Sequence, residues 1–571
     1  MFSVAKRKFL FSTGHVIATG GPGSGKTHIA LMKGDYEHLS RTLQPGQKML
    51  FMSFARSTVA RIEEQLSSIA SAESKSSIDV TTYHGFAWRI LKSHGYLLLN
   101  QSSPLQVIPP PEAAAHLSSF NEEDREREIN RLFDEEARVH FDLFSPRALD
   151  LLTRSSALLQ VMSSKFPIIV LDEFQDTNQV EWELIKLLGT RSRMIALADP
   201  QQRIYRFRGA DPNRIEHFRA TFQCLSLNFD GENYRSDGKD INDFGNDLVT
   251  GGNKTKTYND VSVIRYRFYR GLSAYYPCKT KVLSRLKSLT KSDNWSIAIL
   301  VPTRQLMLST SQYLSSDQDG LPSLQHEVSI DSEGPCLAAF LIANLLEHGS
   351  TKAKDLDRDF LFDFKTYLRG RKGTKPPSQE DLGLIGSIEG YLDHGRIRGS
   401  YRSRFVEAAK AYVQFFATND LTGHPEADWN SIIDVLIATD LKHLNQLVED
   451  AKYARLLQKG ALLRATLAEY WKASGTYVNA RLAFEAAYRQ EYFATKTLEP
   501  KGILVTTLHK SKGKQFSEVV LYEGAHQGRF LRDNVSDWER EEAIYTLRVG
   551  VTRASEHATI LTPNSNPSIL L

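Results

Sequence analysis

Cysteine is scarce in this chain: Cys224, Cys278 and Cys336 lie far apart among 571 residues. That spacing excludes a disulfide scaffold and a cysteine-ligated metal, and it fits a reducing, cytoplasmic setting. Charge of one sign is lacking as well, with 71 Lys and Arg against 67 Asp and Glu and a net charge of +4. A polyanionic partner would have to be met by a local basic patch. Long apolar runs are also missing. The most apolar helix candidate, CLAAFLIANLL from Cys336 to Leu346, is far shorter than the ~20 residues a bilayer span requires, so no membrane partner is expected. The opening MFSVAKRKFLFSTGH is basic but too poor in apolar residues for a signal peptide. What remains, 41% hydrophobic and 24% charged, suits a chain of several buried cores, about four at roughly 150 residues each.

The segment HVIATGGPGSGKTHIALMKG runs from a β-rich stretch through a glycine loop into a helical pattern. Gly20, Gly25, Lys26 and Thr27 fit G-x-x-x-x-G-K-[ST] in the context that pattern requires. Glycines here, Gly23 among them, let backbone N–H groups turn towards phosphate oxygens at a helix N-terminus. Lys26 then reaches the β- and γ-phosphates, and the Thr27 hydroxyl ligates magnesium. Further on, FPIIVLDEFQDTNQ offers a short apolar run, Phe166 to Leu171, that reads as a strand buried on both faces. Asp172 and Glu173 follow at its C-terminal end, where ligands bind in open α/β sheets. Asp172 suits the magnesium shell, and Glu173 is placed to orient a water attacking the γ-phosphate. A nucleoside triphosphate, ATP or GTP, with Mg2+ is the expected substrate pair.

KMLFMSFARSTVARIEEQL and IDVTTYHGFAWRILKSHG each read as strand, turn and helix, and they bring Phe54, Tyr83 and His84 to the mouth of one sheet. Aromatic rings beside small polar groups suit a single-stranded nucleic acid, although for any one of these rings taken alone core packing is the better reading. The stretch ALADPQQRIYRFRGADPNRIEHF is too polar for a core and too aromatic for an ordinary loop. Between Lys26 and Asp172 lies an insertion whose acid-rich NEEDREREINRLFDEEARVH reads as a solvated helix face.

GPGSGKT, TTYHGFAWRIL, LDEFQDT, ADPQQRIYRFRGA, NYRS, TTLHKSKGKQF and VGVTRA follow one another in this order. Together, from about Val16 to Leu561, the chain resembles UvrD/Rep/PcrA-like helicases of superfamily one. The resemblance implies an α/β fold of two RecA-like P-loop NTPase cores with parallel sheets, each carrying a mainly helical inserted domain. The first core (1A) would comprise residues 1–90 and 166–226, with an insert (1B) at 91–165. The second core (2A) would comprise 227–350 and 499–571, with an accessory insert (2B) at 351–498. It also implies a DNA-dependent ATPase that translocates on single strands, 3′-to-5′, and acts at junctions of single- and double-stranded DNA. By the same match Gln202 senses the γ-phosphate, Tyr205 and Phe207 line the single-strand groove, and Arg208 ties the segment to nearby acids or phosphate. Arg235 and Arg553 are in-cis arginine fingers. Thr507 and His509, with Lys512 and Gly513, grip DNA backbone and ribose, and Gln515 stands near the nucleotide sugar. A second reading from another class stays open: an ATP-driven DNA-binding subunit that assembles with a partner nuclease, as in phage defence.

The chain also departs from the family pattern. No glutamine precedes Gln44, so the upstream residue that reads adenine is missing, and Gln515 replaces a usual Glu. Both changes bear on ATP against GTP. Arg56, Arg203 and Arg548 replace an Asn, a Ser and a position more often aromatic, changes expected to favour contact with a nucleic-acid backbone. In the accessory insert, Arg396, Arg398, Arg402 and Arg404 surround Tyr401, as a duplex contact or as a solvated face. The 18 residues after Arg553 are too few for a nuclease domain, so none is expected in this stretch.

Overall fold

Fourteen short strands were found in a computed structural model, which describes residues 2–69, 71–99, 104–108, 110–117, 120, 122–204, 209–229, 231, 233–236, 238–267, 271–289, 295–328, 333–372, 377–452, 461–484, 501–526, 528–532 and 535–571. In chain order they are β1 Val16–Thr19, β2 Met49–Ser53, β3 Ile78–Thr82, β4 Gln106–Val107, β5 Arg138–Val139, β6 Ile168–Leu171, β7 Arg193–Ala198 and β8 Leu225–Asn228. The later six are β9 Val261–Tyr266, β10 Ser296–Val301, β11 Glu327–Val328, β12 Gly502–Thr507, β13 Phe516–Tyr522 and β14 Ala554–Pro563. Twelve of them build two six-stranded sheets, ordered β3-β2-β6-β7-β1-β8 and β11-β12-β10-β13-β14-β9. Every pairing in both sheets is parallel.

Parallel strands need long crossovers, and the helices that supply them cover both sheet faces. The strand sequences answer to this. All four residues of β6 are buried, as is every residue of β2. In the second sheet, alternate residues of one strand enter different cores. Ala298 and Leu300 pack with Leu504 and Leu521, whereas Ile297, Ile299 and Val301 pack with Val505 and Val520. That is the period of two expected of a strand covered on both sides. The Lys26–Leu39 helix settles closely on the first sheet because Gly34 lacks a side chain: a Cβ there would lie 2.4 Å from Met49 Cε and 2.6 Å from Ile78 Cδ1.

The chain divides into two compact units. One comprises Met1–Leu98, Phe144–Ile330 and Thr495–Leu571, and holds both six-stranded sheets. The other comprises Leu99–Leu143 and Asp331–Ala494, and is mainly helical. The sequence suggested separate inserts at 91–165 and 351–498. In the structure, their counterparts form one unit with different edges. Residues 144–165 stay with the sheets, where Phe144 stacks on Trp88 with centroids 5.2 Å apart. The Glu333–Ser350 helix, expected within the second core, lies instead at the centre of the helical unit. Its near-continuous apolar surface explains why: Leu341, Ile342, Leu345 and Leu346 are buried in a core shared with Phe360, Phe364 and Tyr412. The acid-rich segment forms the Glu122–Glu136 helix, with Arg131 paired to Glu128 and Glu135 on its polar side. Among the described residues no helix is long and apolar enough to cross a membrane.

Candidate active site

The glycine loop leaves β1 and enters the Lys26–Leu39 helix. Gly23 and Gly25 take φ of 75° and 79°, conformations that L side chains rarely adopt. At Gly23 there is no room either, since a Cβ would lie 2.3 Å from Asn233 Oδ1 and 3.0 Å from Arg235 Cβ. The loop is thus pinned against the Asn233–Arg235 segment, whose Tyr234 N–H donates to the Gly23 carbonyl at 2.8 Å. Lys26 Nζ is folded into the loop and donates to the Gly20 and Gly21 carbonyls at 2.6 and 3.0 Å. Burial lowers the pKa of this amine, while Asp199, Glu173 and Asp172 favour its charge.

Two turns at the C-terminal ends of first-sheet strands carry the acids. After β6, Asp172 presents Oδ1 to the Thr27 hydroxyl at 3.5 Å, and its Oδ2 accepts from Ser53 Oγ at 3.1 Å. Burial and the neighbouring Glu173 raise the Asp172 carboxyl to about 6. A carboxylate and a hydroxyl converging on one point, with their charge left wanting a cation, are a donor set suited to Mg2+, which typically takes one or two protein oxygens and completes its shell with phosphate and water. Among the described residues no larger group of His, Cys, Asp and Glu gathers to hold a metal. Glu173 sits at φ 53°, in the left-handed region, and accepts from Gln175 Nε2 at 2.7 Å. Burial would raise its pKa, but Lys512 and Lys26 outweigh that and hold it down at about 2. Gln175 also accepts from the Asp199 N–H at 3.0 Å, so one buried amide joins the turn after β6 to the turn after β7. Sequence reasoning passed over Gln175.

The second sheet supplies cations. Arg553, directly before β14, is 2% exposed and points Nη2 at Gln202 Oε1, 3.4 Å away. Gln202 Nε2 donates to Asp199 Oδ2 at 2.8 Å. Lys512, in the loop between β12 and β13, pairs with Asp176, donates to the Gln202 carbonyl at 2.7 Å and lies 3.6 Å from Glu173 Oε2. The sequence grouped Lys512 with the DNA-gripping segment; its ammonium is buried among the acids of the first sheet instead. Arg235 Nη1 donates to the Thr552 carbonyl at 3.1 Å. Burial, with Arg553 and Arg61 close by, pushes Arg235 well below the ordinary guanidinium range, and burial with Arg61 and Arg548 close by pushes Arg553 to about 10. Crowded, half-desolvated cations of this kind are relieved by an anion. Arg61, on the Arg56–Ile69 helix, had no sequence signal beyond being one arginine among many. Gln515 lies half-buried one residue before β13.

Residues 4–143 and 127–223 match the family model described as the UvrD/REP helicase N-terminal domain. The chain is UvrD/Rep/PcrA-like. It is 26% identical over 309 residues to the ATP-dependent DNA helicase PcrA of Bacillus subtilis, covering 45% of this chain and 41% of that protein. It is 24% identical over 281 residues to DNA helicase II of Haemophilus influenzae, covering 41% and 38%. With the "Probable DNA helicase II homolog" of Mycoplasma pneumoniae it shares 23% identity over 364 residues, covering 53% and 51%. The match therefore spans about half, or less, of these relatives.

In this UvrD-like chain the residues singled out for DNA separate into three groups. Tyr83 needs correcting as a stacking surface. It is 4% exposed, its ring packs on Phe54 with centroids 4.6 Å apart, and its hydroxyl donates to the Asp172 carbonyl at 3.2 Å. Position decides this: Thr82 caps the Tyr83–His94 helix by accepting from the Gly85 N–H, which fixes Tyr83 as the first helical residue and turns its ring inward. Phe54, His84, Thr507 and His509 keep part of their surface accessible at strand ends. Tyr205, Phe207 and Arg208 lie outside the described residues, as does the side chain of Arg56. Of the other departures, Arg203 is half-buried and donates to the Pro200 and Pro212 carbonyls. Arg548 is buried, which excludes contact with a nucleic-acid backbone. Arg396, Arg398 and Arg402 are exposed on the helical unit, and Arg404 donates to the Thr439 carbonyl at 3.0 Å.

Proposed function

We propose that this chain is an ATP-dependent single-stranded DNA translocase or helicase of the UvrD type. Its two sheets are read as RecA-like cores, and the helical unit as the joined inserts. One observation carries the reading: cations anchored on the second sheet reach the acidic turns of the first. Arg553 reaches Gln202, and Lys512 reaches Glu173 and Asp176. A binding switch needs only the cradle, whereas a hydrolase needs charge brought to the γ-phosphate as the cleft closes.

In this reading the loop amides around Gly23 and Gly25, with Lys26, hold the phosphates. Thr27 and Asp172 hold Mg2+, which when bound neutralises charge on the β- and γ-phosphates. Glu173 orients and deprotonates the attacking water, and its depressed pKa keeps it ionised for that task. Arg235 and Arg553 neutralise the charge that develops on the transferred phosphoryl, and Gln202 reports its presence to the segment that follows. Gln515 lies towards the nucleotide sugar. Phe54, His84, Thr507 and His509, with Tyr205 and Phe207, form the single-strand path, and movement runs 3′-to-5′ towards a duplex junction.

The test is ATP hydrolysis with and without a single-stranded oligonucleotide, for the wild type and Glu173→Gln. DNA should stimulate turnover, and the variant should lose about a hundredfold or more in kcat while still binding nucleotide. Near-normal turnover in Glu173→Gln would remove the assignment. A tailed-duplex unwinding assay, run on oligonucleotides of both polarities, then reads direction.

A further inference from the structure

Arg548 is a cation on the second-sheet side of this cleft that the function above leaves without a task. It lies in the last turn of the Asp537–Val551 helix and is 1% exposed. Its Nη1 donates to Asp199 Oδ2 and to the Gln201 carbonyl, both at 3.4 Å, and its Nη2 donates to Asn246 Oδ1 at 3.0 Å. Its Nε has no hydrogen-bond partner among the described residues.

The acceptor matters more than the donor. Asp199 Oδ2, which takes Arg548, also takes the side-chain amide of Gln202 at 2.8 Å, and Asp199 Oδ1 takes the Gln201 N–H at 2.9 Å. The carboxylate is thereby held through both oxygens, with Arg548 and Gln202 sharing Oδ2. Holding Gln202 by its nitrogen leaves its Oε1 turned to Arg553. An arginine suits this position better than a lysine, because two of its nitrogens serve three acceptors in a fixed fork. Asp199 follows β7 of the first sheet, whereas Arg548 belongs to the helix that leads into β14 of the second. The contact therefore exists only while these two parts are together, and parting them removes the carboxylate counter-charge from the guanidinium.

We propose that Arg548 is a positioning residue that fixes Asp199, and through Asp199 the amide of Gln202, when the two sheets close on nucleotide. The proposal rests on the hydrolytic reading above. It predicts that Arg548 affects turnover rather than nucleotide capture, and that it acts through Asp199 rather than beside it.

The experiment compares wild type, Arg548→Met, Arg548→Lys, Asp199→Asn and the Arg548→Met/Asp199→Asn double variant. For each, kcat and KM for ATP are measured at saturating single-stranded DNA, alongside the melting temperature. Arg548→Met should lower kcat about tenfold or more with KM for ATP within about threefold, the pattern of an interaction made at the transition state. The double variant should be no worse than the poorer single one, because both changes break the same link. Arg548→Lys should recover part of the loss, and if Arg548→Met does not fold, the cycle is run with Arg548→Lys. A wild-type kcat in Arg548→Met, or losses that multiply in the double variant while wild type hydrolyses ATP, would overturn the proposal alone. A wild type without DNA-stimulated hydrolysis would overturn the hydrolytic reading and this proposal with it.

Discussion

The two sheets have the same strand number and the same all-parallel pairing, yet opposite chemistry gathers at their facing edges. On the first sheet the functional turns follow strands: the glycine loop after β1, Asp172 and Glu173 after β6, and Asp199 after β7. On the second sheet they precede strands: Lys512 runs towards β13, and Arg548 and Arg553 towards β14. A C-terminal edge carrying amides and carboxylates thus meets an N-terminal edge carrying ammonium and guanidinium groups. In the proposed reading, neither edge alone would hold a triphosphate in a reactive state. The first lacks the cations to stabilise departing charge, and the second lacks a cradle. Splitting a site this way makes chemistry conditional on approach, which is what the proposed motor would require.

The comparison breaks most sharply at Arg553. Arg553→Ala should reduce kcat by about a thousandfold, the scale of an in-cis arginine finger, with nucleotide still bound by the first sheet. Steady-state hydrolysis paired with fluorescent-nucleotide titration checks this; a loss confined to KM would place Arg553 in ground-state binding. Lys512 gives the next largest effect. Lys512→Met should cost about ten- to a hundredfold in kcat by freeing Glu173 and Asp176 to move, with nucleotide-free affinity for single-stranded DNA within about twofold of wild type. A weakened DNA complex with intact kcat would return Lys512 to the DNA path.

Smaller effects sharpen the picture of the first sheet. With no glutamine ahead of Gln44 to read the base, kcat/KM for ATP should exceed that for GTP by less than about a hundredfold, because it is unpaired polar groups that reject a wrong base. Parallel measurements with both nucleotides on one oligonucleotide decide it. Tyr83→Phe should cost about 1 kcal/mol of folding stability, the worth of one buried hydrogen bond, and leave DNA affinity unchanged. A stacking residue would behave otherwise, with Tyr83→Ala weakening DNA binding by ~1–3 kcal/mol while stability held.

What could be read from the sequence and what could not follow a physical line. β1, β2 and β6 were legible because a strand covered on both faces has to be apolar throughout, and the glycine loop because its backbone geometry leaves little choice of residue. Glu173 and Asp172 were legible from their place after such a strand. Lys512, Arg61 and Arg548 were not. A long cationic side chain can turn towards solvent, DNA or a buried acid with no change in its neighbours along the chain, and only the approach of a distant segment settles which. The joining of residues 99–143 with 331–494 was hidden for the same reason, since it depends on packing between segments nearly two hundred positions apart.

Glu173 adopts a backbone conformation that a glycine or an asparagine would accept far more readily. Folding alone would therefore favour replacing it. A chain selected only for thermal endurance should drift towards Gly or Asn at position 173, gaining melting temperature as it loses turnover. Laboratory evolution under heat, with no demand for ATP hydrolysis, would make that conflict visible at a single codon.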